Sequence, residues 1–508
     1  MSPEIFADVA PDRPALIMAG SGRRVTFGEL EDRSARVATA FHRLGLQTGD
    51  VVALLTDNAP EVFEVYWAAM RSGLYITLVN WQLASSEVAY ILQDSGAKVL
   101  VASSNAGSVV RDIAGLLPQL GNRYVFGDHV DGYLPYSQLL NAATPRVTGR
   151  PPGAEMLYSS GTTGRPKGIK TAQLAAGADD PFQMVVTHVF GLTGQDIYLS
   201  PAPIYHAAPL KWSCGMQALG ATVVVMERFD AEATLAAIAN YAITVTQMVP
   251  TMFVRMLQLP ASTRDAYDVS SLRMVIHAGA PCPPEVKEAM IAWWGPILVE
   301  YYGATEGHGS TVITSSEWLE KRGSAGKAAV GVIHICDDDG NTLSSGTHGT
   351  IYFERDTAPF EYHNDPDKTA AARHPDHENW STVGDIGYLD DDGYLYLTDR
   401  KSFMIISGGV NIYPQEVENV LALHPCLVDV AVIGVPDAEM GEQVKAVVQL
   451  KNGFEPSDEL AQEIIGYVRD RLAHFKAPRS VDFVEQLPRT ETGKLRKREL
   501  QQAYRPVP

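Results

Sequence analysis

Cysteine is scarce. The 508 residues hold four, Cys214, Cys282, Cys336 and Cys426, far apart and without a CxxC pair. That excludes a disulfide framework and a cysteine zinc site, and predicts reduced, structural thiols in a cytoplasmic protein. Positive charge is also short: 41 Lys and Arg against 60 Asp and Glu leave a net charge of −19. Such a chain is not expected to wrap nucleic acid or hug an anionic membrane, since both need basic faces. No run of eighteen apolar residues occurs, so no transmembrane segment is predicted. The opening MSPEIFADVAPDRPAL lacks a basic n-region and an apolar h-region, which predicts no secretory leader. Long repeats and low-complexity tracts are missing too. What remains is an ordinary globular composition, 45% hydrophobic and 20% charged, enough for a packed core. A length of 508 residues predicts at least two domains.

Strand and helix patterns alternate through most of the chain. Thr26 stands three residues before Glu29, a capping-box spacing, and apolar residues recur at helical intervals to Leu44. Residues 51–55 and 97–103 read as buried strands, with a helix after Asn58. The alternation resumes with a strand after Ala221, a helix over 231–241, and strands near 243–249, 272–277 and 297–303. This order favours parallel sheets flanked by helices. From about 325 to 400 the pattern turns to short alternating strands. Within it, the acidic runs 337–341 and 390–394 lack the spacing of a calcium loop and predict hairpin turns. Residues 398–414 mark a boundary, followed by an α+β unit of domain size.

One stretch carries more chemistry than any other. Tyr158 to Gly168 reads YSSGTTGRPKG. Glycines let backbone approach a ligand closely, and successive N–H groups in such a turn form a nest for anionic oxygens. Ser159, Ser160, Thr162 and Thr163 add hydroxyl donors around Gly161 and Gly164, and Lys167 adds a mobile charge. The set suits a polyphosphate. It is not a Walker A loop, because Pro166 and Gly168 occupy the positions of the second glycine and the Mg-binding Ser/Thr. Two further polar turns leave apolar runs, Ala278-Gly279-Ala280-Pro281 and Tyr302-Gly303-Ala304-Thr305-Glu306. Ligands of open α/β sheets bind beyond such strand ends, which puts both turns in one crevice.

This loop, taken with the motifs that follow it in order, resembles the adenylate-forming (ANL) superfamily of acyl-CoA synthetases, amino-acid adenylation domains and luciferases. The resemblance spans nearly the whole chain. It implies a large α/β N-terminal domain over residues 1–400, built from two α/β subdomains and a distorted β-barrel. A small mobile α+β domain over 401–508 would follow. It further implies that Tyr302 lies against adenine, that Thr305 contacts phosphate, and that Glu306 helps hold Mg²⁺. Gly279, Ala280 and Pro281 would border the base, Asp385 and Arg400 the ribose or phosphate. Lys494, in Thr-Gly-Lys near the C-terminus, would bridge the acyl carboxylate and the α-phosphate. A cation there answers a physical need, because the two reactants are both anions. Ser407, Gly408 and Gly409 would flank the pantetheine arm of coenzyme A, after rotation of the small domain. Ser402 and Phe403 depart from the usual hinge residues.

The implied activity is ATP-dependent ligation of a carboxylic acid to coenzyme A through an acyl-adenylate, with Mg²⁺. His206 would border the carboxylate, and Trp212 and His277 are pocket-wall candidates beside Cys214 and Met216. No acid follows His206 in Ala207–Trp212 to hold an α-ammonium group, which disfavours amino acids. A medium- to long-chain fatty or other hydrophobic acid is the first expectation, and an aryl or steroid acid the second. An enzyme loading a carrier protein is a third reading. Expected partners are the acid, ATP and CoA, with a second copy of the chain left open.

Overall fold

A computed structural model describes the chain outside residues 1–2, 143–149, 160–165, 176, 179, 401–402, 409, 438, 491–494 and 505–508 and the side chain of Arg400. Two large sheets carry the first part. One has eight strands in the spatial order 360–362, 167–171, 154–159, 75–79, 51–55, 97–103, 122–126 and 134–135. Val51–Leu55 at its centre runs parallel to both neighbours, and all five of its residues are buried. That is the burial expected when helices cover both faces. The Phe27–Arg43 helix packs here and opens with the Thr26–Glu29 capping box.

The second sheet has nine strands, with Ile197–Ser200, Val245–Met248, Met274–His277 and Leu298–Gly303 adjacent and parallel. One continuous core, including Phe63, Tyr198 and Trp212, joins the two large sheets. A five-stranded antiparallel sheet, drawn from residues 332–400, stands in the region of the expected distorted barrel. Both acidic runs are turns within it. Asp337 accepts the backbone N–H groups of Asp339 and Asn341, and Asp390 accepts those of Asp392 and Tyr394. Their carboxylates stabilise tight turns, and among the described residues no group of three His, Cys, Asp or Glu is placed to hold a metal.

The last sheet uses only residues 405–484 and has its own core around Ile412, Val432, Val448 and Ile464. Among the described residues, no helix is long and apolar enough to cross a membrane.

Candidate active site

The parallel strands of the nine-stranded sheet set out the floor of the site. Met274–His277 ends in Ala278-Gly279-Ala280-Pro281, and Gly279 has φ +87°, a conformation that favours glycine. Its neighbour Leu298–Gly303 ends in Ala304-Thr305-Glu306. Both turns line one cavity of about 1510 Å³. Ser159 and Lys167 line it from the other large sheet. They stand directly opposite each other across the antiparallel pair 154–159 and 167–171. The phosphate-loop residues between them, Ser160, Gly161, Thr162, Thr163 and Gly164, lie outside the described residues. The chain returns from that loop as a strand, so no helix N-terminus follows it.

Hydrogen bonds tie these turns together. The Tyr302 hydroxyl donates to Asp385 Oδ2 at 2.7 Å, and both residues line the cavity. Asp385 faces Arg400 in the antiparallel register of strands 385–389 and 395–400. Glu306 Oε1 accepts the Tyr362 hydroxyl at 2.9 Å. Lys167 Nζ sits 4.7 Å from the centre of the Tyr362 ring. Tyr362 thereby joins the cation of the phosphate loop to the carboxylate of the YGATE turn. Sequence reasoning missed it, since a lone tyrosine in the three-residue strand Phe360–Tyr362 carries no motif.

The C-terminal unit closes one side. Asp429, Arg489 and Leu495 line the same cavity. Arg489 grips Asp429 through Nη2 at 2.7 Å and through Nε, and bridges to Leu495 as an antiparallel pair. These two residues flank Lys494, which is itself outside the described residues. Ser407 and Gly408 are elsewhere. They line a second cavity of about 550 Å³ with Arg469, His474 and Arg479. Gly408 has φ +58°, and a Cβ on it would stand 2.4 Å from Met440 Cε. That positive φ favours glycine there. Gly409 is not described.

His206 and Trp212 line the first cavity. Trp212 donates to the Tyr301 hydroxyl at 3.3 Å. Its ring meets Phe182 and Phe190 edge-on, with centroids at 5.4 and 5.0 Å. His277 does not belong to this wall, and the expectation for it is corrected. It is fully buried, packed on Phe253 and 3.7 Å from Glu300. The strand pleat turns it into the core beneath the cavity. Burial holds its pKa well below the usual imidazole range, so the ring is neutral.

Two family models match the chain: AMP-binding enzyme over residues 4–358 and AMP-binding enzyme C-terminal domain over 416–494. The chain is an AMP-binding enzyme of the adenylate-forming superfamily, in its acyl-CoA synthetase branch. This AMP-binding enzyme is 33% identical to the long-chain-fatty-acid–CoA ligase FadD13 of Mycobacterium tuberculosis, across 98% of this chain and 97% of the relative. It is 32% identical to the fatty acid–[acyl-carrier-protein] ligase ScoC of Streptomyces coeruleorubidus, across 97% and 94%. Among solved structures it resembles the anthranilate CoA ligase AuaEII in complex with anthranoyl-AMP, with a TM-score of 0.84, 27% identity, and 99% and 96% of the two chains covered. These three proteins differ in acid and in acceptor. The family is therefore fixed, and the acid is a matter for the cavity of this AMP-binding enzyme.

Proposed function

We propose that this chain activates a hydrophobic, medium- to long-chain carboxylic acid with ATP and transfers the acyl group to coenzyme A. The acid attacks the α-phosphorus, giving acyl-AMP and pyrophosphate. The thiol then attacks the acyl carbon, and AMP leaves. The observation that carries the reading is the single cavity shared by the phosphate-loop strands, the adenine-side turns, the ribose-side Asp385 and the flanks of Lys494. In this reading Ser159 and Lys167 hold phosphate, Tyr302 lies along the base, and the Tyr302–Asp385 hydrogen bond fixes the carboxylate that receives the ribose hydroxyls. Glu306 beside Thr305 suits Mg²⁺, which takes one or two carboxylates and fills its other positions with water and phosphate oxygen. When bound, Mg²⁺ offsets phosphate charge. The four free thiols suit a reducing, cytoplasmic setting.

The length of the cavity supports a long acid. Ala207, Lys211, Cys214, Gly215 and Ala218 of the helix Ala207–Ala218 line it, a stripe at helical spacing that runs about 16 Å at 1.5 Å per residue. A zigzag chain with bonds near 1.5 Å needs roughly a dozen carbons to cover that distance. An AMP-release assay over saturated acids of two to eighteen carbons tests this. Rates are expected to rise to a maximum near a dozen carbons, and a maximum at two to four would overturn the chain-length reading.

Two substitutions examine the nucleotide and thiol ends. Tyr302→Phe removes the hydroxyl that orients Asp385, a hydrogen bond worth about 1 kcal/mol. The KM for ATP should rise roughly fivefold with little change in the KM for the acid. Arg479→Ala removes a cation from the second cavity, which in this reading meets CoA phosphates once the small domain turns. Its KM for CoA should rise on the order of tenfold while ATP–pyrophosphate exchange stays at the wild-type rate, since exchange needs no CoA. An unchanged KM for CoA would separate that cavity from thiol binding.

A further inference from the structure

The far part of the acyl cavity is not uniformly apolar. Glu155 lines it, on the strand that leads into the phosphate loop. Its Oε1 accepts the hydroxyl of Tyr66 at 2.9 Å. Burial and the neighbouring Glu155 carboxylate push the Tyr66 phenol far above its usual pKa, so Tyr66 is the donor of the pair. Among the described residues no Lys, Arg or His forms an ion pair with Glu155. Asp180, the other carboxylate felt by Tyr66, is occupied in capping the helix Pro181–Met184.

A second feature of the same wall points the same way. Gln183 is 5% exposed and lines the cavity, and its Nε2 has no hydrogen-bond partner. Its side chain reaches the Gly215 turn, where a Cβ on Gly215 would lie 3.7 Å from Gln183 Oε1. Glu155 is tied to the same helix through its donor, since Tyr66 adjoins Trp67, whose Nε1 donates to Gln217 Oε1 at 2.8 Å. Glu155 and a buried amide with an unpaired N–H group therefore line the cavity beside the same helix, Ala207–Ala218. A buried amide without a partner costs on the order of 1–3 kcal/mol, and a carboxylate in an apolar wall costs more unless a donor meets it.

We infer that the acid bears a hydroxyl group at its far end, received between Glu155 and Gln183. A hydroxyl donates one hydrogen bond and accepts another, which meets both needs at once. A methyl terminus meets neither. The inference rests on the ligase reading above and narrows its substrate to hydroxylated acids, whether alkyl or phenolic.

The test compares matched acids on the wild-type enzyme by AMP release with CoA: dodecanoic against 12-hydroxydodecanoic acid, and a phenylalkanoic acid against its para-hydroxy form. Sites built to hydrogen-bond a substrate hydroxyl reject the analogue lacking it strongly. The hydroxylated member of at least one pair should show kcat/KM higher by on the order of 10–100-fold. The pair that responds tells alkyl from phenolic. Glu155→Leu and Gln183→Leu should each bring that ratio towards one, while the KM for ATP holds. Equal kcat/KM within both pairs overturns the inference and leaves the ligase reading standing. Absence of AMP release with every acid, alongside intact folding, overturns the ligase reading itself. Because the wild-type comparison needs no variant, a misfolded substitution does not blunt the outcome.

Discussion

Replacing Lys494 by alanine is expected to slow acyl-adenylate formation on the order of 10²–10³-fold, the loss typical of removing one preorganised electrostatic group from a transition state. A carboxylate and an α-phosphate repel each other, and charge accumulates on the phosphoryl oxygens as they meet. A cation between them is worth most in that state. Arg489 and Leu495, which precede and follow Lys494 in the chain, support this placement, because both line the cavity and are bridged to each other. ATP–pyrophosphate exchange measures the loss. Thioester formation from supplied acyl-adenylate and CoA should continue near the wild-type rate, since on the proposed reading that step uses the Ser407–Gly408 loop in place of Lys494. Equal loss in both half-reactions would show a structural role for the lysine. The two cavities make the division concrete: Arg489 and Leu495 line the first, and Ser407 and Gly408 line the second. On the proposed reading, a turn of the small domain that exchanges them would serve the two steps in succession.

The largest stability effect is expected at Lys287. This lysine is fully buried and its Nζ lies 2.6 Å from Glu300 Oε2, with the Trp318 ring on another side at 4.9 Å. Breaking a buried pair from one end strands the other charge, at a cost of about 3–5 kcal/mol. Lys287→Ala should lower the denaturation midpoint accordingly, read by urea unfolding monitored by tryptophan fluorescence. Glu300 already has a raised pKa, first because burial disfavours its charge, with Lys287 pulling the other way. Without Lys287 that rise is unopposed. The sign follows. An acid whose folded pKa is raised above its unfolded value destabilises the fold once the pH exceeds the unfolded value. The deficit of the variant should therefore be full near neutral pH and shrink as the pH falls through the folded pKa towards about 4. A deficit independent of pH would mean that lost packing, not the stranded carboxylate, is responsible. Glu300 lies two residues before Tyr302, so the variant should also weaken ATP binding more than a remote core substitution of equal cost.

Local patterns were legible where one element carried its own signal. The Thr26–Glu29 box opens its helix as its spacing predicts, Ala97–Ser103 and Ala231–Tyr241 fall where periodicity puts them, and the acidic turns are hairpins. Each depends on neighbours within a few residues. His277 was misjudged because its place at the end of a strand says nothing about which way the pleat turns it. Tyr362, Tyr66 and Gln183 went unseen because each matters only through a residue far along the chain: Glu306, Glu155 and the Cys214-Gly215 turn.

By itself the sequence determined the family and the alternation of strand and helix, because those are written in short runs of residue type and spacing. Tertiary structure decided which of these runs share a cavity, that Ser407 and Gly408 stand apart from it, and that Glu155 and Gln183 both line it. Such pairings form between strands and helices a hundred or more residues apart, where packing of the intervening core sets the approach and no local rule reports it.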